Sequence, residues 1–466
     1  MVGAVHEWAE YTLGKLSDQL NAMRESAVGS ASSSGGRTAT ERLAAISRSP
    51  TINSSLHTEL GVLIQTAYDE MRQAHTRHEP NETWRAIYTD ASILRSLYDI
   101  IGASEDTLEE SLSLSCIAQL DRAIIIAGSC GEGRLELILE FIIQIQSHTR
   151  WEQNMDIPLP PSKFSMTPLP IPLSSPDTFR RTIRRIDPPP SFAAFINTLS
   201  KEPFILPGYG RDWPAIEKNL WQSPDYLRQV GGPGRVVPVE VGSDYRTEDW
   251  TQDLMGWYEF LQALCISQRD SDEESTATRK RVLYLAQHNL FTQFPTLRDD
   301  IILPSYVYAA LNAPENYPAY CPPANDEQLV LNAWLGPAGT VSPAHTDPFF
   351  NFYTQVVGRK TVWLSPPETT SHMYTYAKSS AAASSVDGVQ PTHSNPAANN
   401  IEPSMSNTSQ LDVFAADERQ FPLFYEHVVP RAMCAILEPG DLLFIPVGWW
   451  HAMRSEDVSF SVSTWF

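Results

Sequence analysis

The stretch VSPAHTDPFFN, residues 341–351, places an imidazole at His345 and a carboxylate at Asp347, two residues apart. In an extended strand, alternate side chains point to the same face, so both groups would enter one cavity. A third candidate ligand, His451, follows the segment PGDLLFIP at residues 439–446. Two histidines and one carboxylate form the facial triad that holds non-haem Fe(II) and leaves coordination positions open. We therefore predict that His345, Asp347 and His451 are catalytic metal ligands.

This interpretation depends on the surrounding residues, because a His-x-Asp pair alone is most often a hydrogen-bonded structural histidine. Lys360 follows the pair at the end of the strand-and-turn pattern VVGRK. A buried lysine needs an anion, and a dicarboxylate cosubstrate bound to the metal would supply one. His372 and His427 also lie between the two ligand segments, but neither has comparable surroundings, so we exclude both as ligands of this metal.

Three segments, residues 342–348, 355–360 and 439–446, resemble the JmjC family of Fe(II)- and 2-oxoglutarate-dependent oxygenases, in its branch of small hydroxylases. The resemblance extends from about residue 174 to the last residue, Phe466. It implies a double-stranded β-helix, the jelly-roll that this family shares with cupins. It also implies Fe(II) as the metal, with 2-oxoglutarate and O2 as cosubstrates that convert a substrate C–H bond to C–OH.

The resemblance assigns further residues to two pockets beside the metal. Six residues would bind 2-oxoglutarate: Tyr284, Asn332, Ser342, Asn351, Lys360 and Trp465. Within this set Lys360 and Tyr284 would hold the distal carboxylate; the alternative for Tyr284 and Asn351 is ordinary hydrogen bonding in a core. Three residues would line the target pocket: Glu240, Trp250 and Trp334. A carboxylate with aromatic faces suits a guanidinium, through bidentate hydrogen bonds and stacking.

Three functions are compatible with these residues. The first is hydroxylation of a protein side chain, with arginine favoured by the pocket residues. The second is demethylation of methyl-lysine in histones, by hydroxylation of the N-methyl group. The sequence lacks the Cys/His zinc clusters that accompany large histone demethylases, so we favour the first. The third is a non-catalytic cupin-like scaffold, which would require a damaged triad, whereas all three triad residues are present.

Charge composition bears on the partners. The 466 residues include 34 basic and 55 acidic side chains, a formal net charge of −21 at pH 7. Such a balance argues against a nucleic-acid binder and a basic patch, and suits a basic protein or peptide substrate such as a histone tail. From composition alone, solubility is the favoured explanation of this charge. The sequence does not define an oligomeric state.

Cysteine usage and hydropathy bear on localisation. Five cysteines without a CxxC motif indicate reduced thiols in an intracellular protein, in the nucleus, the cytoplasm or both. We expect no signal peptide and no membrane-spanning segment, because no apolar window is long enough. The sequence RRTIRR, residues 180–185, is interpreted as a charged helical stretch, with a nuclear address as the alternative.

The pattern predicts an α+β protein with two domains. Residues 1–155 are expected to form an all-helical domain, because their apolar residues recur at helical spacing. Prolines crowd residues 156–175, which we interpret as a linker. Residues 176–466 contain short β-branched and aromatic runs typical of strands, and would form the catalytic jelly-roll, with a helix predicted at 251–263. Residues 378–410 lack any hydrophobic period and are predicted to be a disordered insertion.

Overall fold

The protein is described here by a computed structural model. It describes residues 2–27, 34–49, 54–77, 81–103, 108–151, 163–164, 181–242, 246, 250–266, 282–376 and 405–466. The predicted linker, except for residues 163–164, lies outside these ranges, as do residues 378–404 of the predicted insertion.

The N-terminal region is a bundle of helices. They are α1 (Val2–Ala27), α2 (Ser34–Ile46), α3 (Ser54–Arg77), α4 (Glu82–Ile101), α5 (Glu110–Ala127) and α6 (Arg134–His148). Helix α4 is central and packs against α1, α2, α3 and α5. Its side chains are buried on nearly every side, as expected for an internal helix. The buried Asp90 of α4 accepts a hydrogen bond of 2.6 Å from Arg134 Nε of α6, so the charge is paired inside the bundle.

The C-terminal region contains two facing β-sheets with short helices on their outer surfaces. The strands are β1 (Arg181–Thr182), β2 (Arg184–Arg185), β3 (Phe204–Leu206), β4 (Val236–Val241), β5 (Thr251–Gly256), β6 (Leu283–His288), β7 (Val330–Gly336), β8 (Val341–Thr346), β9 (Asn351–Val357), β10 (Lys360–Ser365), β11 (Met433–Leu437), β12 (Leu442–Ile445), β13 (Trp450–Ser455) and β14 (Ser459–Trp465). The helices are α7 (Phe192–Asn197), α8 (Pro214–Glu217), α9 (Pro224–Gly231), α10 (Trp257–Ile266), α11 (Leu290–Gln293) and α12 (Pro295–Asp299).

The strand order identifies a double-stranded β-helix. One sheet has the order β1-β11-β10-β13-β8, and the other has the order β2-β3-β12-β9-β14-β7-β6-β4-β5. The strands from β7 to β10 and from β11 to β14 therefore alternate between the two sheets. This arrangement is the jelly-roll, and it confirms the predicted α+β fold class.

The alternation of side chains along the strands separates an interior from outer cores. In β14, Phe460 and Val462 pack against the helices that cover the larger sheet, whereas Ser461 and Ser463 alternate with them and point to the opposite face. The outer face of the smaller sheet is covered by the segment after residue 405, which buries Phe424 against Trp363. The interior keeps polar groups, and the site described below lies there.

Three local predictions are wrong. Residues 181–185 form the edge strands β1 and β2 instead of a helix; Ile183 is buried, and Arg185 Nη1 binds Asp441 Oδ2 at 3.0 Å. Residues 251–256 form strand β5 along β4, and the helix begins only at Trp257. Residues 405–410, assigned from sequence to a disordered insertion, are folded, because Ser409 N donates to Ala344 O at 2.8 Å and its side chain is fully buried.

The helical bundle contacts the jelly-roll through a buried carboxylate. Asp121 of α5 is 0% exposed and accepts hydrogen bonds from Arg235 Nε and Nη2, at 3.0 and 2.7 Å. It also accepts from the Val236 backbone N at 2.8 Å and from Gln293 Nε2 at 2.9 Å. This buried ion pair, with both carboxylate oxygens hydrogen-bonded, fixes the beginning of β4 to the bundle.

Candidate metal centre and cosubstrate pocket

Strands β8 and β13 bring the two predicted histidine ligands face to face. They pair in antiparallel register with His345 directly opposite His451, and the ring centroids are 4.2 Å apart. Asp347 follows the end of β8, where its backbone O accepts a hydrogen bond from Gly448 N at 3.1 Å. Asp347, the carboxylate among the three candidate ligands, is thus held by the turn that precedes β13.

The carboxylate of Asp347 lies between the two imidazoles. Its Oδ2 is 3.3 Å from His451 Nε2, and its Oδ1 is 3.8 Å from His345 Nε2. Ligand atoms of the three residues all lie within 4.8 Å of one another. Within the described ranges of the chain, no other trio of His, Cys, Asp or Glu meets this condition.

Backbone carbonyls orient both imidazoles. Nδ1 of His345 lies 2.7 Å from Pro343 O, and Nδ1 of His451 lies 3.1 Å from Trp449 O. Because a carbonyl only accepts, each Nδ1 carries the proton and donates, so each Nε2 faces Asp347. Burial acts to lower the pKa of His451, but the Asp347 carboxylate, to which its Nε2 is hydrogen-bonded, outweighs burial and raises that pKa, so His451 would bind a metal with loss of its Nε2 proton. Such outer hydrogen bonds commonly fix the orientation of histidine ligands in metal sites.

The electrostatics of the triad favour a cation. Burial lowers the pKa of His345 to about 4, and His451 adds to the shift. Burial acts to raise the pKa of Asp347, but the two histidines outweigh it and hold that pKa below its usual value. At neutral pH the carboxylate is therefore ionised and His345 is neutral, the forms in which both groups bind metals. The donor set fits a 2-His-1-carboxylate Fe(II) site.

Lys360 lies in the interior next to two phenols. It is 1% exposed, and its Nζ donates to Tyr353 Oη at 2.8 Å and to Tyr284 Oη at 3.3 Å. Burial lowers its pKa to about 7. No carboxylate among the described side chains forms an ion pair with it. A buried cation without a counterion is costly, so the pocket is suited to an anionic ligand.

The phenols beside Lys360 are held by serines of the neighbouring strands. Tyr284 is hydrogen-bonded to Ser342 of β8, and Tyr353 to Ser461 of β14. Burial raises the pKa of both phenols well above the usual value, so both stay neutral donors. Tyr353 was not among the predicted site residues. The sequence could have indicated it: Tyr353 follows the predicted cosubstrate residue Asn351 by two positions on one strand, and alternate residues of a strand share a face.

Three of the residues assigned to 2-oxoglutarate carry buried polar atoms without a hydrogen-bond partner. These atoms are Asn332 Nδ2, Asn351 Oδ1 and Trp465 Nε1. Trp465 stands opposite Asn351 across the β14–β9 ladder, so two of the three are neighbours. Buried polar groups are nearly always satisfied in native proteins, so unpaired polar atoms on the interior face indicate a polar ligand. An oxygen-rich dicarboxylate fits the two donors, Asn332 Nδ2 and Trp465 Nε1, and the Asn351 amide would donate to it from its Nδ2.

Two glycines allow the close packing around Lys360 and Tyr284. Gly358, in the turn before Lys360, has φ +68°, and a Cβ there would collide with the backbone O of Val458. Gly336 lies where a Cβ would come within 2.7 Å of the ring of Tyr284. Side chains at these two positions would displace β10 or the phenol, and with them the Lys360 site.

The predicted target-pocket residues lie on neighbouring strands of the larger sheet. Glu240 of β4 stands opposite Tyr284 of β6, and the Trp334 ring lies 6.1 Å from the Tyr284 ring. Trp334 Nε1 donates to Ser463 Oγ at 3.0 Å. Trp250 immediately precedes β5, and its buried Nε1 has no hydrogen-bond partner. Glu240 and Trp334 therefore flank Tyr284, the tyrosine that contacts Lys360, whereas Trp250 is placed only by its position before β5.

The segment that resumes at residue 405 borders the metal site, which sequence reasoning missed. Thr346 N donates to Asn407 O at 3.0 Å, and Thr408 forms an isolated bridge with His345. Arg246 Nη1 donates to Leu411 O at 2.7 Å. No local sequence pattern predicted these contacts, because the segment has no strand pattern and its partners lie far away in sequence, 61 residues for Thr346 and Asn407 and 165 for Arg246 and Leu411.

Comparisons with known proteins agree with this geometry. Residues 192–466 match a family profile described as a cupin-like domain. Lysine-specific demethylase 8 of Xenopus tropicalis is 35% identical over 266 residues, which cover 57% of this chain and 48% of that protein. Jumonji C domain-containing protein 5 of Drosophila melanogaster is 34% identical over 273 residues, covering 57% and 54%. Lysine-specific demethylase JMJ30 of Arabidopsis thaliana is 37% identical over 264 residues, covering 57% and 49%.

These matches confirm the expected relation to JmjC proteins. The chain spans about half the length of the curated relatives that it matches. Among the helices in the described ranges, none combines the length and hydropathy that crossing a bilayer requires.

Proposed function

Because the chain belongs to the cupin-like domain family, we propose that it is an Fe(II)- and 2-oxoglutarate-dependent dioxygenase that hydroxylates a protein side chain, with arginine as the target. The observation that carries the proposal is the pairing of a His-Asp-His triad with the counterion-free Lys360 in one jelly-roll interior. The triad suits Fe(II), and the lysine suits the distal carboxylate of 2-oxoglutarate. Together with O2, these groups supply the oxidation of a C–H bond, with succinate and CO2 as coproducts.

In the proposed enzyme, the residues of the chain would bind the metal and the cosubstrate and orient them. His345, Asp347 and His451 would hold the metal through two Nε2 atoms and a carboxylate oxygen. Lys360, with Tyr284 and Tyr353, would bind the far carboxylate by charge-assisted hydrogen bonds. A second group of residues would hold the remaining polar atoms of the cosubstrate: Ser342, Asn332, Asn351 and Trp465.

Arginine is supported as the target by the chemistry of the neighbouring pocket. Glu240 provides a carboxylate, and Trp334 and Trp250 provide indole faces. A guanidinium binds carboxylates in a bidentate manner and stacks on aromatic rings, so all three groups would contribute. The unpartnered Nε1 of Trp250 would be satisfied by an acceptor on the substrate, such as a peptide carbonyl. The partner would be a basic protein or peptide rather than a nucleic acid, met in the nucleus or cytoplasm.

The second candidate is demethylation of methyl-lysine in a histone. Two similar proteins carry the words lysine-specific demethylase in their names. A methylated ammonium can also lie against Trp250 and Trp334, through cation–π contacts. The two candidates share the metal and the cosubstrate and differ in the product.

The decisive experiment incubates Fe(II)-loaded protein with 2-oxoglutarate and matched basic peptides that contain arginine or methyl-lysine. Mass spectrometry of the peptide should show the gain of one oxygen on arginine; the loss of one methylene from methyl-lysine would establish the second candidate instead. Asp347→Ala is the inactive control. Glu240→Gln should weaken the arginine reaction while leaving peptide-independent succinate formation unchanged. A wild-type protein that forms neither product nor succinate would contradict the whole proposal.

A further inference from the structure

A second pair of histidines meets on the outer side of the smaller sheet. His372 ends the 3-10 helix Pro367–His372, and His427 lies in the π-helical turn Phe424–Val428. Their ring centroids are 4.2 Å apart, and the ring planes are tilted by 40°. The triad histidines His345 and His451 have the same separation, 4.2 Å, with a tilt of 52°. The two pairs of rings are therefore similarly spaced.

A carboxylate accompanies the outer pair as well. Glu426 Oε1 lies 3.8 Å from His427 Nε2, the same distance that separates Asp347 Oδ1 from His345 Nε2. The side chains of His427 and Glu426 are 38% and 69% exposed, whereas those of His345 and Asp347 are 16% and 14% exposed. Glu426 therefore has room to change its rotamer, and water has access to the pair.

Both histidines are carried by anchored backbone. The π-helical turn is fixed by the buried Phe424 and Val428, which pack in the core behind Trp363. The 3-10 helix is fixed by Thr370, whose Oγ1 accepts a hydrogen bond from Trp450 Nε1 at 2.9 Å. Single π-helical turns inside folded chains are rare and often mark functional positions. The pair is thus assembled by the fold, 55 residues apart in sequence (427 − 372).

We propose that His372 and His427 form a second site for a divalent transition-metal ion such as Zn²⁺, with water and, after a change of its rotamer, Glu426 as the remaining ligands. In the arrangement described, Glu426 does not lie as close to both imidazoles as Asp347 does in the triad. Neutral imidazole is a common ligand for Zn²⁺, Ni²⁺ and Cu²⁺, with metal–nitrogen distances of about 2.0–2.1 Å for Zn²⁺. Two such nitrogens with one adjacent carboxylate can complete a tetrahedral site with water. The bound ion would tie the turn after residue 405 to the helix that follows β10. This inference does not depend on the proposed oxygenase function.

The test is Zn²⁺ titration by calorimetry in a background that disables the triad. The double variant His345→Ala/Asp347→Ala leaves His451 as the sole triad ligand, so any binding of one ion per chain reports on a second site. Adding His427→Gln or His372→Gln should weaken this binding by more than about tenfold, since even indirect partners of metal ligands contribute that much. His148→Gln is the matched control, because His148 lies on α6 with its Nδ1 2.8 Å from Gln144 O.

A second measurement uses the native triad. The wild-type protein should bind two Zn²⁺ ions per chain, and His372→Gln/His427→Gln should bind one. Zn²⁺ should also raise the melting temperature of the triad-disabled protein, and the two glutamine substitutions should remove this increase. The proposal is overturned if the triad-disabled protein binds no Zn²⁺, or if its binding survives replacement of both histidines.

Discussion

Lys360 is the residue on which the cosubstrate site depends, because its ammonium is buried with phenols as its hydrogen-bonding partners. Its position could be predicted from the local VVGRK pattern and the family resemblance. Its surroundings could not, because Tyr284, Tyr353 and Ser461 come from three strands far apart in sequence. The triad was predictable for the same reason as Lys360: each ligand segment carries its own short motif.

Removing the lysine charge should affect the cosubstrate selectively. In Lys360→Ala the distal carboxylate of 2-oxoglutarate would be buried without a cationic partner, a loss of roughly 3–5 kcal/mol. The dissociation constant for 2-oxoglutarate, measured by calorimetry on the Mn²⁺-loaded protein, should therefore rise by orders of magnitude. Mn²⁺ affinity should stay unchanged, because Lys360 is not a metal ligand. Equal 2-oxoglutarate affinity in Lys360→Ala and the parent would show that the anion binds elsewhere.

Binding of 2-oxoglutarate should take up a proton above neutral pH. Burial lowers the pKa of Lys360 to about 7 in the free protein, and the bound carboxylate would raise it again. Affinity is therefore full below pH 7 and falls as pH rises above 7, by up to about tenfold per unit. Calorimetry at pH 8 in buffers of different ionisation enthalpy should give an uptake approaching one proton on the Mn²⁺-loaded protein. Lys360→Arg is the control, since arginine stays protonated and should show no uptake; absence of uptake by the parent would contradict the assignment.

Tyr353 should contribute less than Lys360. Tyr353→Phe removes one neutral hydrogen-bond partner of the ammonium, worth about 1 kcal/mol. We expect the dissociation constant for 2-oxoglutarate to rise about fivefold, with little change in thermal stability, since Ser461 keeps its hydrogen bond to Gln355. Tyr284→Phe is the matched comparison. A change as large as that of Lys360→Ala would mean that the Tyr353 hydroxyl contributes as much to carboxylate binding as the ammonium does, which would contradict the leading role of Lys360.

At the scale of elements, strands buried on both faces were predictable and edge elements were not. The alternation of serine and hydrophobic residues in β14 predicts an internal strand. Strand β5 was predicted as helix because its residues, TQDLMG, have no β-branched alternation, and it becomes a strand only by pairing with β4. Long-range pairing overrides weak local preference in such cases. The order of residues 405–410 was likewise not predicted, because it depends on hydrogen bonds to β8 and to Met373, which are distant in sequence.

Ser409 tests whether this short segment contributes to stability. Its Oγ donates to Met373 O at 2.5 Å and accepts from Leu411 N at 3.3 Å, and the side chain is 0% exposed. Ser409→Ala leaves two buried backbone groups unpaired, so the free energy of unfolding should fall by about 1–3 kcal/mol in urea denaturation. The exposed Gln410→Ala is the control and should change it by less than about 0.5 kcal/mol. Equal midpoints for both variants would contradict a structural role of the segment.

At the scale of the whole molecule, the helical bundle is joined to the jelly-roll by Asp121, which no local pattern in α5 distinguishes from an ordinary helical aspartate. Its partners Arg235 and Val236 stand at the beginning of β4, and its partner Gln293 ends α11. Strand β4 carries Glu240 and pairs with β6, which carries Tyr284. The bundle therefore supports one wall of the proposed site, and we propose that the two domains unfold as one cooperative unit.

Asp121→Ala should test that coupling. The substitution leaves Arg235 buried without a counterion, at a cost of roughly 3–5 kcal/mol in the free energy of unfolding. The loss should appear as a single transition at lower urea concentration, detected alike by far-UV circular dichroism and by tryptophan fluorescence, because both domains lose the same contact. Asp69→Ala, on the exposed side of α3, is the control and should change stability by less than about 0.5 kcal/mol. If Asp121→Ala instead separates the two signals while the jelly-roll transition keeps its parental midpoint, the bundle is an independent module and the buried pair merely tethers it.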